Sequence, residues 1–250
     1  MASSRTDVVV LGAGIVGVGA ALHLQAKGRA VTLVDRVAAA ATETSFGNSG
    51  LVQSEAVFPY MFPRAPGEIA RAAFGRDPRV RIRYASLPSI APWLWRYFLA
   101  SSPSGRLATA MAMRGLVARC LPEHQAFAEA AGAQALLRPG GWIKVYRTAR
   151  GEAAALKDLE EARQFGMPGA QLNRQQLLAL EPHLSEVASG GVHFTEPMST
   201  ADPQALIQAY AALFVARGGR FVVGDALNAV VAHAPGDQRR PHHAARHDPG

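Results

Sequence analysis

The chain has 250 residues, 49% of them hydrophobic and 18% charged, with a formal net charge of +7 at pH 7. The hydrophobic content supplies one sizeable core or two modest ones, and the charged fraction is too low for an intrinsically disordered chain. The positive charge does not point to nucleic acid: the basic residues are scattered and almost all Arg, with Lys only at 27, 144 and 157, and no RNP-like motif, zinc-finger spacing or basic helix accompanies them.

Val8 to Leu11 is apolar throughout and reads as a short buried strand. Gly12, Gly14 and Gly17 follow in G-x-G-x-x-G order, a helical pattern runs from Ile15 to about Lys27, and a second apolar strand, Ala30 to Val34, closes on Asp35. Strand, glycines, helix and acid together form a βαβ dinucleotide-binding pattern. Gly12 lets the chain turn out of the strand, Gly14 lets the backbone approach a pyrophosphate, and Gly17 lets the helix lie close to the strand. The helix start at Ile15 and Val16 turns amide hydrogens and a partial positive charge towards phosphate. Asp35 is placed to accept hydrogen bonds from ribose hydroxyls, and its charge disfavours the 2′-phosphate of NADP. Arg36 has three readings: pairing with such a phosphate, stacking over adenine, or facing solvent. The pattern alone leaves NAD and FAD both open.

After the small residues Ala38 to Ala41 comes T-E-T-S-F-G-N-S-G-L-V-Q, Thr42 to Gln53, rich in turn formers. It is either a plain surface loop or one that brings amides and hydroxyls back to a cofactor. A short helix is expected at Glu68 to Phe74. The run Leu87 to Ala100 carries Trp93, Trp95, Tyr97 and Phe98, but Pro88, Pro92 and Arg96 interrupt it and it falls short of the ~20 residues that span a bilayer. It reads as domain core, with a peripheral membrane contact as the other reading. Leu107 to Ala131 has helical period with Pro122 inside, giving a kink or two consecutive helices. The single cysteine, Cys120, falls in this run; it reads as a small core residue and suits a reducing compartment. Gly141 to Tyr146 and Val192 to Phe194 read as strands, and Glu152 to Phe165 as an amphipathic helix. Asn173 and Gln176 have capping-box spacing, and Asp202 and Pro203 fit N-cap and N1 of a helix whose apolar stripe is Leu206, Tyr210, Leu213 and Phe214. Arg220 to Val223 and Leu227 to Val231 are strand-like. The first strand begins too early for a secretory signal to precede it, so the cytoplasm is expected, or a peripheral position at the inner face of the cell membrane.

Several stretches together carry a family resemblance: G-A-G-I-V-G, V-D-R after the second strand, E-T-S-F-G-N-S-G, G-G-W-I-K-V-Y-R-T at 140 to 148, G-G-V-H-F-T-E-P at 190 to 197 and A-D-P-Q-A-L-I-Q-A-Y-A-A-L-F at 201 to 214. Over residues 7 to about 230 the chain resembles the FAD-dependent D-amino-acid dehydrogenases of the small-subunit type, within the D-amino-acid oxidase superfamily. The resemblance implies an α/β fold: a discontinuous Rossmann-like FAD-binding domain, residues 1–85 and 198–232, interleaved with an α+β substrate domain, 86–197. It implies FAD as cofactor, with Ser45, Gly47, Asn48, Ser49 and Gly50 near the flavin pyrophosphate and ring. It implies oxidative deamination of a D-amino acid by hydride transfer from Cα to flavin N5, with electrons passed to a respiratory acceptor or quinone. A sarcosine- or glycine-type secondary-amine oxidase, a non-catalytic remnant and an NAD-dependent dehydrogenase are the alternatives.

Such chemistry asks the protein to position the Cα–H bond and to hold the substrate carboxylate, for which an Arg fork is the usual device. Lys144, Tyr146 and Arg147, with Tyr60 and Arg64, are the candidates; strand alternation puts Lys144 and Tyr146 on one face. Each is also readable as a strand end or surface charge; His193 is a catalytic candidate beside Lys144 and Tyr146, with a structural strand histidine as its other reading. No residue is assigned as catalytic, and no Ser–His–Asp set, P-loop or metal-ligand cluster occurs in residues 1–231. The last stretch differs. Residues 233–250 hold four of the chain's eight histidines and no Val, Ile, Leu, Met or aromatic residue. A disordered, non-native tail is expected there, the product of a frameshift, with weak or absent activity in consequence. Other reading frames beyond codon 231 that lack strand and helix patterning would sink that expectation. His243 and His247 have helical metal-ligand spacing, but Pro241 and Pro249 flank them with no core to anchor the segment, and no metal is expected.

Overall fold

In the computed structural model of the chain, residues 6–77 and 80–225 are described. The strand expected at Leu227 to Val231 and the segment 233–250 lie outside the described residues. In chain order the elements are β1 (Val8–Leu11), α1 (Ile15–Ala26), β2 (Val31–Asp35), β3 (Leu51–Val52), α2 (Pro66–Ala73), α3 (Leu87–Ala100), α4 (Pro103–Val117), α5 (Cys120–Ala130), β4 (Leu137–Pro139), β5 (Trp142–Tyr146), α6 (Ala149–Gln164), β6 (Gly169–Asn173), α7 (Arg174–Leu180), β7 (Gly190–Phe194), β8 (Met198–Thr200), α8 (Pro203–Ala216) and β9 (Arg220–Val223). The fold is α/β, as expected. The chain divides into two compact units, Met1–Asn48 with Asp202–Gly250, and Ser49–Ala201. Residues 49–85, expected with the first, group with the second: β3 pairs with β8, and Val57 is buried in the second unit's core.

The first unit is a parallel sheet of order β1-β2-β9, with Val8 opposite Val31 and Thr32 opposite Arg220. Helices α1 and α8 pack against each other and against these strands. Val18, Leu22, Leu33, Tyr210 and Phe214 are completely buried, so the helix period of 3.6 and the strand period of 2 meet in one apolar layer. Asp202 caps α8 by accepting from the Ala205 amide at 2.8 Å, with Pro203 in the first turn. At its other end the Gln25 side chain donates to the Phe214 and Arg217 carbonyls, at 3.1 and 2.9 Å.

Burial pushes the Tyr210 phenol from its ordinary 10 up to about 12. The folded state holds this proton more tightly than the unfolded chain, so its contribution is complete below pH 10 and is lost as pH rises towards 12. We expect the wild type to lose on the order of 2 kcal/mol more than Tyr210→Phe across that window, measured as denaturant midpoints against pH. Parallel alkaline profiles for the two proteins would refute it.

The second unit holds two antiparallel sheets, β3-β8-β4 and β5-β7-β6. In the latter Trp142 and Gly169 both stand opposite Phe194, and Lys144 opposite Val192. Helix α6 packs on one face, where Tyr146, Leu159, Ala162, Val192 and Phe194 are buried, and Leu172, Leu177 and Ala188 form a second cluster that takes in Ile143. The capping box at α7 is complete, with Asn173 and Gln176 each accepting the other's amide at 2.9 Å. The Leu107 to Ala131 pattern resolves as two helices, and Pro122 lies in the first turn of α5, where a missing N–H costs no helix bond. The Trp-rich run corrects the expectation made for it. It is a continuous 14-residue helix, α3, despite Pro88 near its start and Pro92 inside, and it is not core: none of its residues is buried.

Candidate functional site

The βα turn of the first unit brings most of the expected cofactor residues together. Gly12, at φ +95°, donates its amide to the Val34 carbonyl at 2.8 Å, so the chain leaves β1 across the end of β2. A Cβ on Gly17 would stand 1.8 Å from the Gly12 carbonyl oxygen: the helix backbone lies directly on the turn. Gly14 is the N-cap of α1, has no side chain to cap it, and is followed by no acidic residue in the first turn. Those helix-start amides have few partners of their own and face a position suited to an anion. Val16 is largely exposed at this end of the helix.

Asp35 closes the arrangement. Its Oδ2 accepts from the Ala13 amide at 2.6 Å and its Oδ1 from the Val37 amide at 3.2 Å. A carboxylate accepts up to about four hydrogen bonds, so capacity for ribose hydroxyls remains. Asp35 lines a cavity of about 310 Å³ with Gly12, Arg36, Glu43, Gly224 and Asp225. Arg36 pairs with Glu43, so the fringe of this cavity is acidic on balance, which suits an unphosphorylated ribose rather than a 2′-phosphate. Glu43 escaped the sequence reading because nothing in a turn-rich loop marks which residue will reach back.

The loop after β2 does return to the turn. The Ala41 amide donates to the Ala13 carbonyl at 3.0 Å, and Ala41 holds φ +62°, an unusual value for a residue with a side chain. Ser45 is buried, and its Oγ accepts from the Ile15 amide at 3.2 Å and lies 3.2 Å from where a Gly14 Cβ would be. Asn48 donates to the Ser45 carbonyl at 3.3 Å. Gly47 is exposed with open space around its Cα. Ser49 and Gly50 belong to the second unit, where the Gly50 carbonyl accepts from the Thr200 amide at 2.7 Å. Of the expected cluster, Gly12, Gly14, Ile15, Gly17, Asp35, Arg36, Ser45 and Asn48 fall within one unit, and Ser49 and Gly50 group with the other.

FAD fits what these residues offer. The glycine turn and a helix start whose N-cap glycine has no side chain suit a pyrophosphate, the Gly14–Ser45 gap is so narrow that a Cβ at 14 would press on the Ser45 hydroxyl, and Asp35 with its cavity suits the adenosine. Asp35→Ala removes the acceptor of the Ala13 amide and the carboxylate expected to meet the ribose, and we expect FAD affinity to fall by about 1.5–3 kcal/mol. Equilibrium titration of the folded variant with FAD checks this; unchanged affinity would exclude the role.

The substrate-side candidates lie in the second unit. Lys144 pairs with Asp158 and lines an open cavity of about 620 Å³ together with Glu55, Tyr60, Arg106, Trp142 and Glu161. Tyr146 is buried, its hydroxyl 3.4 Å from both Glu152 Oε1 and the Leu172 carbonyl. His193 Nε2 is 2.7 Å from the Gly140 carbonyl. Arg64 donates to the Phe98 carbonyl at 2.9 Å. Arg106, missed in the sequence because α4 shows no motif, stacks over Phe58 and pairs with Glu161 at 2.5 Å. Glu55 accepts from Trp142 Nε1 at 2.6 Å and Gln53 Nε2 at 2.7 Å. Cys120 donates from Sγ to the Gln53 carbonyl at 3.1 Å, and burial pushes its thiol up, away from nucleophilic character.

Three solved structures have similar folds. The glycine oxidase of Bacillus cereus ATCC 14579 is 18% identical, with 87% of this chain and 46% of that chain covered and a TM-score of 0.54. The glycine oxidase of Geobacillus kaustophilus is 17% identical, with 88% and 47% covered and a TM-score of 0.56. The L-amino acid deaminase of Proteus myxofaciens, solved with anthranilate, is 16% identical, with 88% and 38% covered and a TM-score of 0.57. At these identities the likeness establishes the fold, and the chain spans less than half the length of each of them. Residues 7–246 match the family described as FAD dependent oxidoreductase, a range that includes most of the segment expected above to be foreign. With that match across nearly its whole length, and a βα turn suited to the cofactor, this chain belongs to the FAD dependent oxidoreductase family.

Proposed function

We propose that the chain serves the oxidation of an amino acid, with a D-amino acid as substrate and a respiratory acceptor or quinone receiving the electrons. The observation that supports it most is the junction of Gly14, Ser45 and Asp35 at the start of α1, a cradle for the two phosphates and ribose of FAD. Bound there, FAD would supply the two-electron acceptor that no side chain provides. The chain's own part is to hold it. The helix-start amides meet negative charge, Asp35 fixes the turn and takes hydroxyls, and Ser45 sets the width of the gap. The E-T-S-F-G-N-S-G loop and the G-W-I-K-V-Y strand favour the D-amino-acid dehydrogenase type within the family. The similarity of fold to glycine oxidases keeps a glycine- or sarcosine-type amine as the second reading.

The test is flavin binding followed by turnover. The purified chain is expected to be yellow and to reduce an artificial acceptor with D-amino acids in preference to L-amino acids, glycine or sarcosine. Gly14→Val, whose branched side chain would fill the gap at Ser45, serves as the control without cofactor. Flavin binding with a preference for glycine or sarcosine would move the assignment to the second reading. A chain that takes up no FAD would end both.

A further inference from the structure

We propose that α3 is a membrane-surface helix, lying in the plane of the bilayer interface and docking the chain onto anionic phospholipid. Residues 78–122 contain seven arginines, at 79, 81, 83, 96, 106, 114 and 119, and no Asp, Glu or Lys. Within that stretch α3 has one anchored side. The Phe62 ring meets Tyr97 and Phe98 edge-on at 5.7 and 5.8 Å, Arg64 lies over the Phe98 ring at 4.5 Å, and the Tyr97 hydroxyl donates to the Tyr60 carbonyl at 2.7 Å. Trp93 and Trp95 flank that side, their rings 5.2 and 5.7 Å from those of Tyr97 and Phe98, yet each is 61% exposed, and Leu99 beyond them is 55% exposed. At about 100° per residue, Trp95, Leu99, Arg96 and Trp93 follow one another around an arc of roughly 160°. The exposed face thus has a leucine and an arginine at its middle and an indole on either flank.

Water is a poor surrounding for two such rings. An indole pairs a large apolar body with one N–H donor and is best accommodated at the headgroup boundary, while an arginine between them reaches lipid phosphate. The 14 residues of α3 rise only about 21 Å, less than the hydrocarbon thickness of about 30 Å, and no helix among the described residues is long and apolar enough to cross a membrane. The helix therefore suits lying on a bilayer. The occupant is anionic because Arg81, Arg83 and Arg96 are all exposed in a stretch with no acid of its own, while Arg106 and Arg119 are taken by Glu161 and Glu123; each basic residue near such a surface adds roughly fivefold to binding.

The experiment uses the full 250-residue chain with vesicles of phosphatidylcholine, with and without phosphatidylglycerol. We expect co-sedimentation with the anionic vesicles only, a blue shift of Trp emission on binding, and weakening by added salt. Trp93→Ser with Trp95→Ser should cut partitioning on the order of 10-fold, and Arg83→Gln with Arg96→Gln about 25-fold, with far-UV dichroism unchanged. If the tryptophan variant fails to fold, the arginine variant and the salt series decide. Absence of sedimentation with anionic vesicles overturns the proposal, as does binding indifferent to salt and to the arginines. Self-association or capture of a protein through Trp93 and Trp95 without vesicle binding would make the face a protein interface, and would equally overturn it.

Discussion

Replacing Gly17 with alanine is expected to abolish FAD retention and to destabilise the first unit by about 3 kcal/mol or more. The added Cβ would lie 1.8 Å from the Gly12 carbonyl oxygen and 3.0 Å from its carbon, and neither atom is free to yield. The Gly12 amide is tied to the Val34 carbonyl, the Ala13 amide to Asp35, and the Ala13 carbonyl to the Ala41 amide. Relief would have to come from lifting α1 off β1, which moves the helix-start amides away from the position proposed for the phosphates. Gly19→Ala is the matched control: it lies in the same helix with nothing within 4 Å of its Cβ, so it should leave flavin retention intact and leave stability unchanged or raise it by about 0.5–1 kcal/mol. Flavin absorbance per chain and thermal midpoint measure both. A Gly17→Ala protein that keeps its flavin and melts like wild type would refute the close approach.

Gly141→Ala should damage the second unit as severely. Gly141 holds φ +68°, a conformation costly for a residue with a Cβ, and that Cβ would stand 1.7 Å from the Phe194 carbonyl oxygen and 3.0 Å from the Thr195 Cα. Its amide also donates to the Pro197 carbonyl at 2.8 Å, so the turn that starts β5 is fixed on the connection between β7 and β8. We expect a loss above about 4 kcal/mol, with Trp142 fluorescence reporting an opened sheet. Gly140→Ala, at φ +126° but with open space around it, carries the backbone strain alone and should cost about 1–2 kcal/mol. Equal losses in the two variants would show that strain, not contact, governs this turn.

Local chemistry made the first unit legible in the sequence. The glycine spacing, the acid at 35 and the Asp202–Pro203 helix start are signals within a few residues of their targets, and each appears at its expected place. The strands β3, β4, β6 and β8 were not legible. They run from two to five residues, too short for a period of 2 to register, and exist because of partners far along the chain. The same holds for Glu43, Glu55 and Arg106, whose positions depend on how loops and helices return. The misjudged run was 87–100, where proline counted as a helix breaker and aromatic content as burial. Pro88 sits in the first turn, where its missing N–H is harmless, and aromatic content says nothing about which side a helix turns to water.

The pairing of β2 with β9 sets a schedule for biosynthesis. Thr32 stands opposite Arg220, so 188 residues separate the partners, and Gln25 likewise waits for the carbonyls of Phe214 and Arg217. Loop-closure entropy for such a distance grows only slowly with length, but the ribosome imposes a delay that thermodynamics does not. At roughly 5–20 residues per second, the outer edge of β2 emerges about 10–40 s before its partner is made. During that interval a parallel-sheet edge rich in Val and Leu has no mate, while the contiguous stretch 49–201 has all of its own strands and can complete its sheets first. The nascent chain therefore passes through a stage in which one unit is finished and the one proposed to hold the cofactor is a bare βαβ hook, and that stage is where chaperone dependence and flavin capture should be decided.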